Sequence, residues 1–275
     1  MTTHLSDVSK AAAFYILAFA LVLAASLAAG QLGVDPGLGL MFTPLIAVLV
    51  MFFLVTRDGF SREAWLSLGL HRLGVRSWVL ALLAPIGVLA FAYGLGLVLG
   101  IVRLTSPGPS FIGNFPLSAV AMGIGMSLLG SIGEEIGWRG YLLPHLLSVG
   151  RTRALLLSGL LHGLFHLPFI LFTPFYHGLG NPLIVVPLFL VALTAAGVWY
   201  GYLRITSQSV WPAAIAHTSL NISVEQFTSV TIAAAPLAME YLLGESGVFT
   251  LIGIIAVAGW LIYRLNRVPQ ASPAA

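Results

Sequence analysis

Apolar residues in this chain neither alternate nor repeat with a short period. They fall in long blocks separated by brief polar breaks. Blocks at about 11–30, 39–56, 77–102, 116–133, 154–173, 183–203, 210–230 and 248–263 each approach the roughly 20 residues that cross a hydrocarbon core. They predict an all-α polytopic integral membrane protein with about eight transmembrane helices. Between the second and third blocks, RDGFSREAWLSLGLHRLGVR (57–76) interleaves four arginines with Trp and Leu, the composition of an amphipathic helix and turn lying in the interface plane. The stretch 205–247 is more polar, and short helices are expected to break it up. The tail QASPAA is expected to be disordered.

Composition sharpens this picture. Hydrophobic residues make up 59% of the chain and charged residues 8%, against about 25% charged in soluble domains. The first block is longer than the roughly 7–15 apolar residues of a cleavable signal and reads as a retained span. No internal repeat is visible, so residues 1–275 are taken as a single membrane domain. The chain has no cysteine, which excludes disulfides and thiolate chemistry.

Charge then orients the spans. If the N-terminus is cytoplasmic and eight spans alternate, the cytoplasmic segments hold Lys10, Arg57, Arg62, Arg72, Arg76, Arg151, Arg153, Arg204, Arg264 and Arg267, and the outer loops hold only Arg103. This is the bias of the positive-inside rule. Both termini are therefore expected in the cytoplasm, in a multi-pass protein of the cell membrane. The basic balance does not indicate nucleic acid, because no basic cluster carries interleaved aromatics.

Three polar groups interrupt the apolar blocks: GSIGEEIGWRGYLLP (130–144), LLHGLFHLP (160–168) and WPAAIAHTSLN (211–221). An ionised side chain at mid-membrane costs about 2.5–3.5 kcal/mol, and such residues usually face a bundle interior or an aqueous cavity. Glu135 and Arg139 are four apart and share a helix face, which leaves Glu134 free for another partner. His162 and His166 share a face, as do His217 and Asn221. Glu134 stands sixteen positions before Gly150 and His166 sixteen after it. In a hairpin turning at Gly150 both lie about 24 Å from the turn, at about 1.5 Å per residue. The three groups are thus expected to meet in one cavity, taken to open to the cytoplasm.

A carboxylate with imidazoles and an amide suits water activation for amide hydrolysis. Glu134 or His166 can take the proton, and His217 and Asn221 can stabilise the oxyanion. His162 and His166 also have the i,i+4 spacing of two zinc ligands. A divalent metal such as zinc, held by Glu134, His166 and His217, with His162 a weaker candidate, is therefore open alongside a metal-free site.

EEIGWR (134–139) resembles the EExxxR signature of the CPBP family of intramembrane proteases, which includes the type II CAAX prenyl endopeptidases and the Abi proteins. His166 in HGLFHLP matches the histidine of that family's FxxxH motif, and His217 with Asn221 matches HxxxN. The similar region is about 116–222. The resemblance implies that Glu134 and His166 activate water, that His217 and Asn221 form the oxyanion site, and that Glu135 and Arg139 organise the cluster. It leaves the metal open. His162 stands where the family has Phe, a departure that bears on substrate preference.

The expected function is an intramembrane endopeptidase cleaving a peptide or protein with a membrane-proximal or lipidated segment at the cytoplasmic side. A non-proteolytic bacteriocin-immunity or scaffold protein of the same family is the alternative. A proton-coupled transporter is a third class, although broken helices in two related halves are not evident.

Overall fold

The computed structural model describes residues 5–105, 121, 125–173 and 179–267. Eight of the eighteen residues of the fourth predicted span (116–120 and 122–124) and the whole C-terminal tail lie outside the described residues.

Helix α1 (Asp7–Leu32) starts where the Ser6 side chain accepts the Ser9 backbone N–H, and it ends at Gly33, whose φ of 65° suits a residue without Cβ. The chain returns through α2 (Gly37–Met41) and α3 (Thr43–Val50), which widens into a π-helical turn at Met51–Val55. The predicted surface segment is a short helix, α4 (Arg62–Ser67), followed by a turn and the 3₁₀ turn Val75–Ser77. Helix α5 (Trp78–Val98) leads to β1 (Val102–Leu104).

Helix α6 is composite. It runs through π-helical Met126–Ser131, α-helical Ile132–Glu135, π-helical Ile136–Leu142 and α-helical Leu143–Leu146. The sequence pattern ends this span at 133, but the helix continues through the charged residues. Their pairing lets the charged stretch stay inside the bundle.

After Gly150 come α7 (Arg151–Phe165), α8 (Leu167–Phe172), α9 (Pro182–Ser207) and α10 (Trp211–Ser229). Strand β2 (Thr231–Ala233) pairs antiparallel with β1, and α11 (Pro236–Leu242) and α12 (Val248–Arg267) complete the chain. Short elements do break up 205–247, but the two-stranded sheet was not foreseen. Strands of three residues give almost no alternation to read.

The chain is an all-α multi-pass membrane protein. Five described helical stretches are long and apolar enough to cross a membrane: Asp7–Leu32, Val75–Val98, Arg151–Phe172, Pro182–Ser207 and Val248–Arg267. The apolar helix Gly39–Val55 is shorter, and α10 is diluted by His217, Asn221, Glu225 and Gln226. The expected eight is therefore not reached by this measure.

Contacts mark the two ends of the bundle. At the arginine-rich end, Arg204 donates to the Ser67 carbonyl at 2.7 Å and Trp211 Nε1 to the Leu70 carbonyl at 3.0 Å. These bonds draw α9 and α10 onto the surface segment. At the opposite end lie the β1–β2 ladder and the bond from Asn181 N to Tyr241 Oη. Between them, α7 and α9 touch closely: a methyl group at Gly197 would come within 2.2 Å of Gly159 Cα.

Candidate active site

The Glu134–Arg139 segment sits wholly inside the bundle, with Glu134 3% exposed and Glu135 and Arg139 fully buried. Buried charge is tolerated only when it is paired and hydrogen-bonded. Arg139 NH1 donates to Glu135 Oε1 at 2.8 Å, as the i,i+4 spacing predicts. The same oxygen accepts His217 Nδ1–H from α10 at 3.0 Å. Glu135 therefore ties α6 to α10, and Thr218 reinforces the tie by donating to Ser131 Oγ at 2.9 Å. The Arg139 guanidinium also lies 5.0 Å from the centroid of the Tyr200 ring, which stacks on His217 at 5.4 Å.

Glu134 turns the other way, towards α7. Its Oε2 accepts His162 Nε2–H at 2.8 Å. With that proton on Nε2, His162 Nδ1 is the acceptor for Arg139 NH1 at 3.3 Å. His162 thus bridges the free carboxylate to the guanidinium, packed 5.0 Å from the Trp138 ring. As a metal candidate from sequence it is the weaker of the histidines; here both its ring nitrogens have partners, Glu134 and Arg139. The i,i+4 spacing with His166 was the visible signal.

His166 closes α7. Its Nδ1–H donates to the His162 carbonyl at 3.0 Å, which leaves its Nε2 without a partner within the helix. The geometry thus brings Glu134, His162 and His166 together: one ligand-type atom from each lies within 4.8 Å of the others. The hairpin argument from Gly150 predicted this shared depth for Glu134 and His166.

Glu134, His166, His217 and Asn221 line one cavity of about 310 Å³. All six residues expected at the site are thus placed: four face the cavity, while Glu135 and Arg139 lie behind it. Apolar walls come from Phe165, Phe169, Phe189 and Leu193. Tyr200 and Glu245 also belong to this region, and the sequence pattern did not flag either. Tyr200 lies in an apolar run with nothing to set it apart. Glu245 reads as a loop charge, and its position near the site depends on how α12 packs.

The cavity lining includes Gly37, Leu40 and Met41 of α2 and Glu245 of the α11–α12 loop, all at the end opposite the arginines. Towards the arginine-rich end Leu68, Leu142, Leu143, Leu203 and Val210 are each fully buried.

Glu134, His162 and His166 form a carboxylate–imidazole–imidazole set of the kind that holds zinc with an open position. By donor chemistry they fit a divalent ion. His217 is not part of this group, contrary to the sequence expectation, because its Nδ1 is turned to Glu135. A metal at these residues would have to displace the Glu134–His162 bond, with the Arg139 cation 3.3 Å from the other ring nitrogen.

The family model described as type II CAAX prenyl endopeptidase Rce1-like matches residues 116–223. That interval contains Glu134, Glu135, Arg139, His162, His166, His217 and Asn221. No curated protein matches the chain.

Proposed function

From the match of residues 116–223 to the type II CAAX prenyl endopeptidase Rce1-like model, we propose that this membrane protein is an intramembrane endopeptidase that hydrolyses a peptide bond with a water activated by Glu134 and His166. The carrying observation is that these two groups share one apolar-walled cavity. Water held between them can lose its proton to the carboxylate as it attacks the carbonyl, a contribution of about 10²–10⁴-fold for general base catalysis. His162 holds Glu134 in place by donating to its second oxygen. Asn221 offers an amide N–H₂ to the developing oxyanion. His217 can also donate from Nε2 when it carries both protons, with Glu135 accepting its Nδ1–H. Glu135 and Arg139 set the position of His217 and His162. The CPBP type fits this residue set, and the substrate reading is a peptide or protein with a membrane-proximal or lipidated segment.

A second reading is favoured by the Glu134–His162–His166 cluster. There these residues would hold a divalent ion, which supplies Lewis-acid polarisation of water and carbonyl. The test common to both is cleavage of a peptide library by purified protein, with and without chelator, compared with Glu134→Ala. Activity in folded Glu134→Ala equal to wild type would remove the assignment. A protein that never cleaves, yet keeps a protective phenotype with the motif residues altered, would instead be the non-proteolytic immunity or scaffold protein.

A further inference from the structure

Helices α7 and α12 both pack on α9, and on the outer surface of the bundle they leave a groove of about 380 Å³ between them. Its walls include Leu156 and Leu160 of α7 and Ile255 and Ile262 of α12, and its floor is Ala195 and Val198 of α9. Leu156, Leu160 and Ile255 are exposed, whereas Ala195 and Val198 are buried, so the groove is concave and faces outward. The one hydroxyl among its lining residues, on Thr194, donates to the Leu190 carbonyl at 2.7 Å and is satisfied within α9. All three helices belong to stretches long and apolar enough to cross a membrane, which places the groove against hydrocarbon.

The end of the groove nearest the arginines carries charge of one sign. On α7, exposed Arg153 stands three residues before Leu156 and seven before Leu160. The three share a helix face, with Arg153 about 4.5 Å beyond Leu156 along the axis. On α12, Asn266 stands four residues after Ile262 and accepts from Thr152 Oγ1 of α7 at 3.5 Å, a contact that joins the two walls at this end. Exposed Arg267 follows, its guanidinium 4.4 Å from the centroid of the Tyr263 ring. None of α7, α9 and α12 contains an Asp or Glu, so the helices that form the groove offer these arginines no carboxylate. A guanidinium fork matches the oxygens of a phosphate as well as those of a carboxylate.

We propose that this groove holds one acyl chain of an anionic phospholipid, with the lipid phosphate taken by Arg153 and Arg267 at the arginine-rich end. Apolar contact alone selects no guest here, since every lipid offers a chain and each dispersion contact is weak. The cationic rim supplies the selection. An anionic headgroup at the surface gains up to about fivefold in binding per arginine, the equivalent of about 1 kcal/mol each. A chain seated in the groove touches α7, α9 and α12 at once and so holds the three together. The site is separate from the Glu134 cavity, and its occupancy does not depend on whether the protein cleaves peptides.

The test is lipid binding by delipidated, detergent-purified protein. Phosphatidylglycerol and phosphatidylcholine carrying the same chains are titrated, and bound lipid is counted by native mass spectrometry. One phosphatidylglycerol should bind about tenfold tighter than phosphatidylcholine. Arg153→Gln together with Arg267→Gln should bring the two affinities together. Gly259 also lines the groove, and an added Cβ there meets nothing within 4 Å. Gly259→Phe should therefore fill the groove, leave the unfolding midpoint without lipid unchanged, and weaken both lipids more than about tenfold. Phosphatidylglycerol should raise the midpoint of the wild type and not that of Gly259→Phe. Equal affinities in the wild type, a preference that survives loss of both arginines, or full phosphatidylglycerol binding with the groove filled each overturn the proposal. A lipid-free dimer that Gly259→Phe dissociates also overturns it, because the groove would then belong to a second copy of the chain. The double arginine variant alters only exposed side chains, so it decides the headgroup role even where Gly259→Phe lowers the midpoint.

Discussion

His162 Nε2 lies 2.8 Å from Glu134 Oε2, joining α7 to α6 at the floor of the cavity. This bond decides which way the free carboxylate points. It also separates two roles for His162, as a holder of Glu134 or as a metal ligand.

If His162 is a holder, His162→Phe keeps an aromatic ring against Trp138 but leaves Glu134 without its donor. Cleavage should fall about tenfold, less than the loss from removing the base itself. The pH profile of kcat/KM should move with it, which a packing role alone would not produce. An unchanged profile would show that Glu134 does not depend on this bond.

The water-activating pair should be far more sensitive. Glu134→Gln and His166→Ala should each lower the rate by about 10²–10⁴-fold, with thermal unfolding in detergent close to wild type. Loss of fold in both would make the result structural, so Glu134→Gln, which preserves side-chain shape, is the deciding variant.

Both His162 nitrogens are engaged, one of them by a guanidinium. That arrangement favours water activation without a metal. Cleavage should persist after treatment with a strong chelator and should still vanish in Glu134→Gln. Inactivation by chelator, restored by zinc and accompanied by zinc loss in His162→Ala, would transfer the water to a metal held by Glu134, His162 and His166.

Arg139 and Glu135 form a fully buried pair. Arg139→Met leaves Glu135 with only His217 and should destabilise the fold by about 3–5 kcal/mol. The double variant Glu135→Met/Arg139→Met should recover part of that loss, read as the midpoint of thermal unfolding. Two single changes that simply add would show the residues to be uncoupled.

Close backbone approach makes another site sensitive. At Gly197 an added methyl group meets Gly159 Cα at 2.2 Å and Arg139 NH2 at 3.0 Å. Gly197→Ala should cost about 1–3 kcal/mol and reduce cleavage by displacing Arg139. Gly87→Ala, on α5 where nothing lies within 4 Å, is the matched control and should leave both measurements unchanged.

Much of the site was legible because helical geometry is local. Four-residue spacing pairs Glu135 with Arg139 even where α6 widens into π-helical turns, since four residues still come close to one full turn. Equal distances from Gly150 put Glu134 and His166 at one depth because α6 and α7 turn back on each other there. The span boundaries followed apolar length. They failed where charge is buried by pairing, as after 133, whereas the span set at 210–230 meets α10 within one residue at each end.

Sequence by itself determined the membrane class, the arginine-rich end and the six residues expected at the site, since apolar length, charge bias and helical period are all properties of neighbouring residues. Tertiary structure decided what those quantities cannot encode. Packing brings α2 and the α11–α12 loop to the cavity that Glu134 and His166 line. The contact between α6 and α7 sets His162 against Glu134. Glu245, 111 positions after Glu134, reaches the same cavity only because α12 packs back against α9, and no local pattern records that contact.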